Sequence, residues 1–243
     1  MRAAILIIGS LLWDSGDERA SWRQSRLIID HAVRVNVPIR YGRRSQSRGN
    51  TFTMTFAING ALGTGVLVPC RTSPPDVAAL VAEAEELWKA EEPGAAPGSV
   101  GASWGCIGLL FRDQPAPWDW FLAWADFFRR NASPIPPVGR EGLLSIPWPA
   151  IAPEGAAVDV DLILATATKA DATRPHAEDV ADAWINQNQG HERYFFENVR
   201  HGIRTPEDAL VWRRIEETRP SWLREDAYAE AVAVLRGNPP SRV

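Results

Sequence analysis

"TFTMTFAINGALGTGVLVP", Thr51–Pro69, is the stretch that decides how the chain is read. Thr51, Thr53 and Thr55 alternate with Phe52, Met54 and Phe56, the period of two expected of a half-buried strand. Leu62–Pro69 is a second β-forming run, and Asn59-Gly60 between the two predicts a hairpin. Upstream, Ala4–Ile8 and Ile28–Val37 are further strand-like runs, so the first third reads as mostly β. "WGCIGLLF" (104–111), "LLSIPWP" (143–149) and "VDVDLILATAT" (158–168) add three more strand candidates.

Helices are inserted among these strands and appended after them. In "SPPDVAALVAEAEELWKAEE" (73–92), Ser73 suits the N-cap, Pro74 the first helical position and Asp76 the third. Ala79, Leu80, Ala84, Leu87 and Trp88 then give that helix one apolar face. "APWDWFLAWADFFRR" (116–130) carries Trp120, Trp124, Phe127 and Phe128 on one stripe, a core face or a subunit contact. Four helical pieces follow from residue 175 onward, one of them stopping at Gly202 as a C′ glycine. No repeat or low-complexity linker divides the chain. The expectation is one α+β domain over 1–243, with a core of about 1–170 and a C-terminal helical extension of about 171–243.

Composition narrows the function classes. The 243 residues are 45% hydrophobic and 23% charged, with a net charge of -4, and this lacks the basic footprint of a nucleic-acid or anionic-membrane binder. No apolar run approaches the roughly 20 residues of a membrane-spanning helix, and no signal-peptide pattern opens the chain, so a cytoplasmic location is expected. Cys70 and Cys106 are too few for a zinc site. His191-Glu192 has no second histidine at metalloprotease spacing, and Ser10 lacks the Gly-x-Ser-x-Gly elbow of a hydrolase.

The N-terminal run "ILIIGSLLWD" (5–14) raises the chemical question. A buried strand that breaks into Gly9-Ser10 can present consecutive backbone N–H groups to a carboxylate or phosphate. Further along, "RYGRRSQSRG" (40–49) concentrates arginines in an otherwise acidic chain; Arg40 or Arg43 is the candidate partner for a substrate carboxylate, and Arg40 is singled out because it ends a strand-like run.

This order of features resembles the gamma-glutamylcyclotransferase-like family. That family opens on a strand ending Gly-Ser-Leu and continues with a basic β segment, a glycine-containing strand ("GTGVLV") and a proline-started helix with a glutamate near its end. The resemblance covers about residues 3–110 and implies a mixed, partly barrel-like sheet. It assigns the catalytic acid to Glu91 in "LWKAEEPG", with Glu86 and Glu83 as alternatives one and two turns earlier. It also implies a substrate cradle at Ile8, Gly9, Ser10, Leu11 and Leu12, with Ile8 standing where the family has an aromatic residue. The implied reaction is cofactor-free and metal-free: a γ-glutamyl amide cyclises to 5-oxoproline and releases an amine, one glutamate moving the proton. The alternatives are a non-catalytic small-molecule-binding protein on the same fold and an oligomeric interaction module, with a homodimer as the simplest assembly.

Overall fold

Ala3–Ile7 (β1) is buried at every position because it is hydrogen-bonded on both sides. The computed structural model describes residues 1–112, 116–187 and 189–240. After β1 come α1 (Asp17–Arg26), β2 (Val33–Ser45), β3 (Thr51–Phe56), β4 (Leu62–Pro69), α2 (Val77–Glu91), β5 (Gly101–Ala102) and β6 (Gly105–Phe111). The chain continues with α3 (Trp118–Asn131), β7 (Ala150–Ile151), β8 (Leu162–Thr168), α4 (Ala177–Gln187), α5 (Arg193–Arg200), α6 (Asp208–Thr218) and α7 (Ala229–Leu235). The fold is α+β, as the sequence predicts.

The eight-stranded sheet runs β3-β2-β4-β1-β8-β6-β5, with β7 pairing β2 outside that path. β1 lies antiparallel to β4 and parallel to β8, which makes the sheet mixed. It curls without closing into a barrel. Where β3 approaches β8, side chains make the join: Thr55 Oγ1 donates to Thr168 O at 2.7 Å, and Thr168 Oγ1 to Met54 O at 3.3 Å.

The Asn59-Gly60 hairpin does not form. β3 and β4 are not partners; both lie antiparallel to β2, β3 along Ile39–Ser45 and β4 along Val33–Pro38. The chain crosses β2 beside Pro38, whose carbonyl accepts the Ala57 N–H at 2.8 Å. Asn59 still does local work there, turning the chain at φ 57°. A hairpin reading takes the nearest partner in sequence, whereas the 13-residue β2 offers more ladder than either short strand offers the other. The basic segment expected to follow the second strand is thus the far half of that strand.

Other boundaries also move. α2 is capped by Asp76, which accepts the Ala79 N–H at 2.9 Å, rather than by Ser73. Residues 143–149 make bridges through Leu143 and Leu144 but no strand. α1, rich in charge and with only Trp22 buried, was not anticipated from an apolar period.

Trp124 and Phe128 of α3 are fully buried, and Trp124 Nε1 donates to Gly142 O at 3.1 Å. The stripe is therefore core at those positions. The C-terminal helices pack on the sheet through a buried polar knot: Tyr41 Oη donates to Asp208 Oδ1 at 3.1 Å, and Arg204 Nε to Oδ2 at 2.8 Å. Among the described residues no helix is long and apolar enough to cross a membrane. Cys70 and Cys106 are free, buried thiols pushed up to about 12 by desolvation.

Candidate functional site

The C-terminal end of β1 opens into a cavity of about 770 Å³. After Ile8, Ser10–Leu12 forms a single 3-10 turn in which Leu12 N donates to Gly9 O at 3.2 Å. The Leu12 N–H is thereby occupied, and Leu12 packs inward away from the cavity. The N–H groups of Ser10 and Leu11, at the start of the turn, have no acceptor within it. Ile8, Gly9, Ser10 and Leu11 all line the cavity.

Glu91, at the last position of α2, lines the same cavity. The link between Glu91 and Ser10 is Arg19 of α1. Its Nη2 donates to Glu91 Oε2 at 2.9 Å, and its Nη1 to Ser10 Oγ at 3.1 Å and to Asp14 Oδ2 at 2.9 Å. Its Nε donates to Ala90 O at 3.2 Å, which fixes the guanidinium against the end of α2.

Burial pushes the Glu91 carboxyl above the ordinary glutamate range, against the opposing pull of Arg19, the nearby Thr166 hydroxyl, Arg43 and Arg48. The Thr166 hydroxyl is buried beside the Glu91 carboxyl. At Asp14, burial acts upward but is outweighed by the Gly16 N–H and by Arg19 and Arg48, which hold this carboxyl below its ordinary value.

Glu83 and Glu86 lie elsewhere. Both face α1, where Arg26 Nη1 meets Glu83 Oε1 at 3.0 Å and Arg26 Nη2 lies 3.9 Å from Glu86 Oε2; neither glutamate lines the cavity. At about 100° of rotation per residue, steps of five and eight positions from Glu91 do not return to its face.

Arg40 is also outside. Its Nη1 donates to Tyr41 O at 3.0 Å, and its side chain lines a separate cavity of about 290 Å³ beside Arg174 and Glu207. A register shift between Tyr41 and Arg43 sets Arg43 opposite Thr53, itself a cavity residue, whereas Arg40 sits opposite Thr55. A Cβ at Gly42 would lie 2.5 Å from Arg40 Nη1 and 2.7 Å from Thr55 Cγ2, so a side chain here would displace both of these.

The cavity carries more positive than negative charge. Arg19, Arg43, Arg44, Arg48 and Lys169 face Glu91, Glu92 and Asp171. Arg48 pairs with Asp14 at 3.5 Å and lies 5.2 Å from the Tyr194 ring centre. Arg43 stacks 4.5 Å over Trp104, and among the described residues neither it nor Lys169 has a carboxylate within salt-bridge distance. Desolvation lowers the Arg43 pKa against the opposing pull of Glu91, Tyr194 and Asp171. Trp88 is in the core and stacks at 5.0 Å on Trp104, which lines the cavity.

Arg19 and Tyr194, both lining the cavity, were not among the expected site residues. Tyr194 comes from α5 in the C-terminal half, and a Cβ at Gly9 would lie 2.8 Å from its hydroxyl oxygen. Only the aromatic excess of "HERYFFENVRHG" hinted at a role for that helix. The cavity thus has a wall that presents the Ser10 and Leu11 N–H groups, a half-buried carboxylate with a raised pKa, and an excess of cations over carboxylates. No protein-family model, no curated protein and no solved structure matches the chain.

Proposed function

We propose that the chain is a cofactor-free enzyme of the gamma-glutamylcyclotransferase type, acting on a γ-glutamyl or similar amide. The observation that supports it is the bridge Ser10–Arg19–Glu91, which holds a desolvated carboxylate across from the Gly9–Leu11 wall in one cavity. In this reading the substrate's α-carboxylate rests on the Ser10 and Leu11 N–H groups, which orients the glutamyl chain to fold on itself. The α-ammonium gives a proton to Glu91, and the freed amine attacks the γ-carbonyl carbon. The new C–N bond closes the ring as the old amide C–N bond breaks; Glu91 gives its proton to the departing nitrogen, then takes the second proton of the ring nitrogen and passes it on, so that 5-oxoproline leaves as the neutral lactam and the amine as ammonium. The reaction consumes no water and moves no electrons between molecules. A raised Glu91 pKa brings its proton affinity closer to that of the amine it serves.

The test is release of 5-oxoproline from a panel of γ-glutamyl amides by the full chain, with Glu91→Gln as the comparison. Turnover by the wild type and its loss by at least 100-fold in the variant are expected. Equal rates remove Glu91 as the proton carrier, and no turnover anywhere on the panel overturns the enzymatic reading. One observation favours a second reading, a binding protein without turnover: the ion pair at 2.9 Å also gives Glu91 a purely structural partner. A thermal shift with 5-oxoproline in the absence of turnover would select it.

A further inference from the structure

Tyr194 is 4% exposed and lines the cavity, yet the hydrogen bonding of its hydroxyl is incomplete. Its oxygen accepts the Met54 N–H at 3.1 Å, which uses a lone pair and leaves the phenolic proton. The neighbouring Asn198 side chain lowers its pKa, and Asn198 Oδ1 accepts from Trp13 Nε1 at 2.8 Å. Among the described residues no hydrogen bond carries the Tyr194 proton to an acceptor.

What the hydroxyl does face is the cradle. At Gly9 a Cβ would sit 2.8 Å from Tyr194 Oη and 3.7 Å from Cζ, so only glycine lets the phenol come this close to the backbone. The φ of Gly9 is -172°, extended and open to any residue, so room for the phenol is the reason for glycine here. One further observation points to a ligand: Arg43, which lines the same cavity, has no carboxylate within salt-bridge distance among the described residues.

We propose that Tyr194 is a ligand-binding residue whose O–H donates to the carboxylate held against Gly9 and Ser10, so that helix α5 of the C-terminal half completes the site. The carboxylate as ligand class rests on the reading above. Burial keeps the phenol protonated, the state in which it donates. The cradle then has a backbone side from the N-terminal strand and a side-chain donor from nearly 190 residues later.

The test is calorimetric titration of the full chain with 5-oxoproline and with 2-pyrrolidinone, the same lactam without the carboxylate. In the wild type, 5-oxoproline binds more tightly than 2-pyrrolidinone. In Tyr194→Phe its affinity falls about tenfold or more, as for a lost hydrogen bond to a charged group, and that of 2-pyrrolidinone does not change. Gly9→Ala, with Tyr194 intact, displaces the hydroxyl and gives the same selective loss; in the double variant the two losses do not add. If Tyr194→Phe proves unfolded by circular dichroism, Gly9→Ala decides alone. Wild-type affinity for 5-oxoproline in a folded variant overturns the assignment, as does a wild type that binds both lactams equally. Failure of the enzymatic reading looks different: 5-oxoproline binds through Tyr194, but no γ-glutamyl amide releases it.

Discussion

Arg19 Nη2 lies 2.9 Å from Glu91 Oε2 while Nη1 of the same guanidinium lies 3.1 Å from Ser10 Oγ, so one side chain sets both the position and the acidity of the cavity carboxylate. Arg19 lowers the Glu91 pKa from the level burial alone would impose. Replacing it with Gln keeps a hydrogen-bonding group and removes the charge. The acid limb of the activity profile, where Glu91 must be ionised to accept a proton, then shifts to higher pH. The kcat/KM profile of Arg19→Gln against wild type measures this; coincident limbs would mean that Glu91 does not titrate in the reaction.

Stability carries the same sign information. A carboxyl whose pKa is raised on folding holds its proton more tightly in the native state, so its contribution is fully present below its unfolded value of 4.5 and is lost as pH rises through the folded value. Glu91→Gln removes that dependence while Asp208 and Glu83, also raised by burial, remain in both proteins. The wild type should therefore lose stability relative to Glu91→Gln as pH rises above about 4.5. Denaturant midpoints of the two proteins between about pH 4 and 8 would show it.

The role of the cavity cations separates Arg43 from Arg40. Arg43 lines the cavity opposite Thr53, and Arg40 lines the other one, bonded to its own strand. Arg43→Met is expected to weaken 5-oxoproline binding by about tenfold, the value of one charge-assisted hydrogen bond, and Arg40→Met by much less. Equal losses would place the two arginines in one site. Activity follows the same order if the ligand is a substrate, with KM rising more than kcat falls.

That pair of arginines also marks where the sequence was legible and where it was not. Period and composition carry the strands Ala3–Ile7 and Thr51–Phe56, the helix Val77–Glu91 and the α+β class, because burial of one face repeats along an element. The Gly-Ser break and Glu91 fall in one cavity, as their order along the chain suggested. Three other features depend on tertiary pairing, which has no local period. The register shift at Gly42 decides which arginine faces the cavity. Helix α1 buries only Trp22, so no apolar period announces the helix that carries Arg19, and Tyr194 reaches Gly9 only through the packing of α5 on the sheet. Asn59-Gly60 misled for the same reason, since its turn signal is local and the choice of β2 as partner is not.

The knot that fastens the C-terminal helices to β2 gives the last prediction. Asp208 is fully buried and accepts from Arg204 Nε at 2.8 Å, from Thr205 Oγ1 at 2.5 Å and from Tyr41 Oη at 3.1 Å. Asp208→Ala leaves the Arg204 charge and a buried phenol without their acceptor, and the expected loss is about 3–5 kcal/mol of unfolding free energy. Tyr41→Phe removes one donor and leaves the Arg204 pair, so its cost is about 1 kcal/mol. Because α5 and α6 are joined by the short segment that pairs with β4 at Thr64 and Arg204, loosening this knot also releases Tyr194 from Gly9. Asp208→Ala should therefore weaken 5-oxoproline binding although it touches no part of the cavity, and Tyr41→Phe should leave it nearly unchanged. Urea unfolding and calorimetry on the same two variants measure both effects. A destabilised Asp208→Ala with wild-type affinity would show that the helices dock on the site independently of the knot.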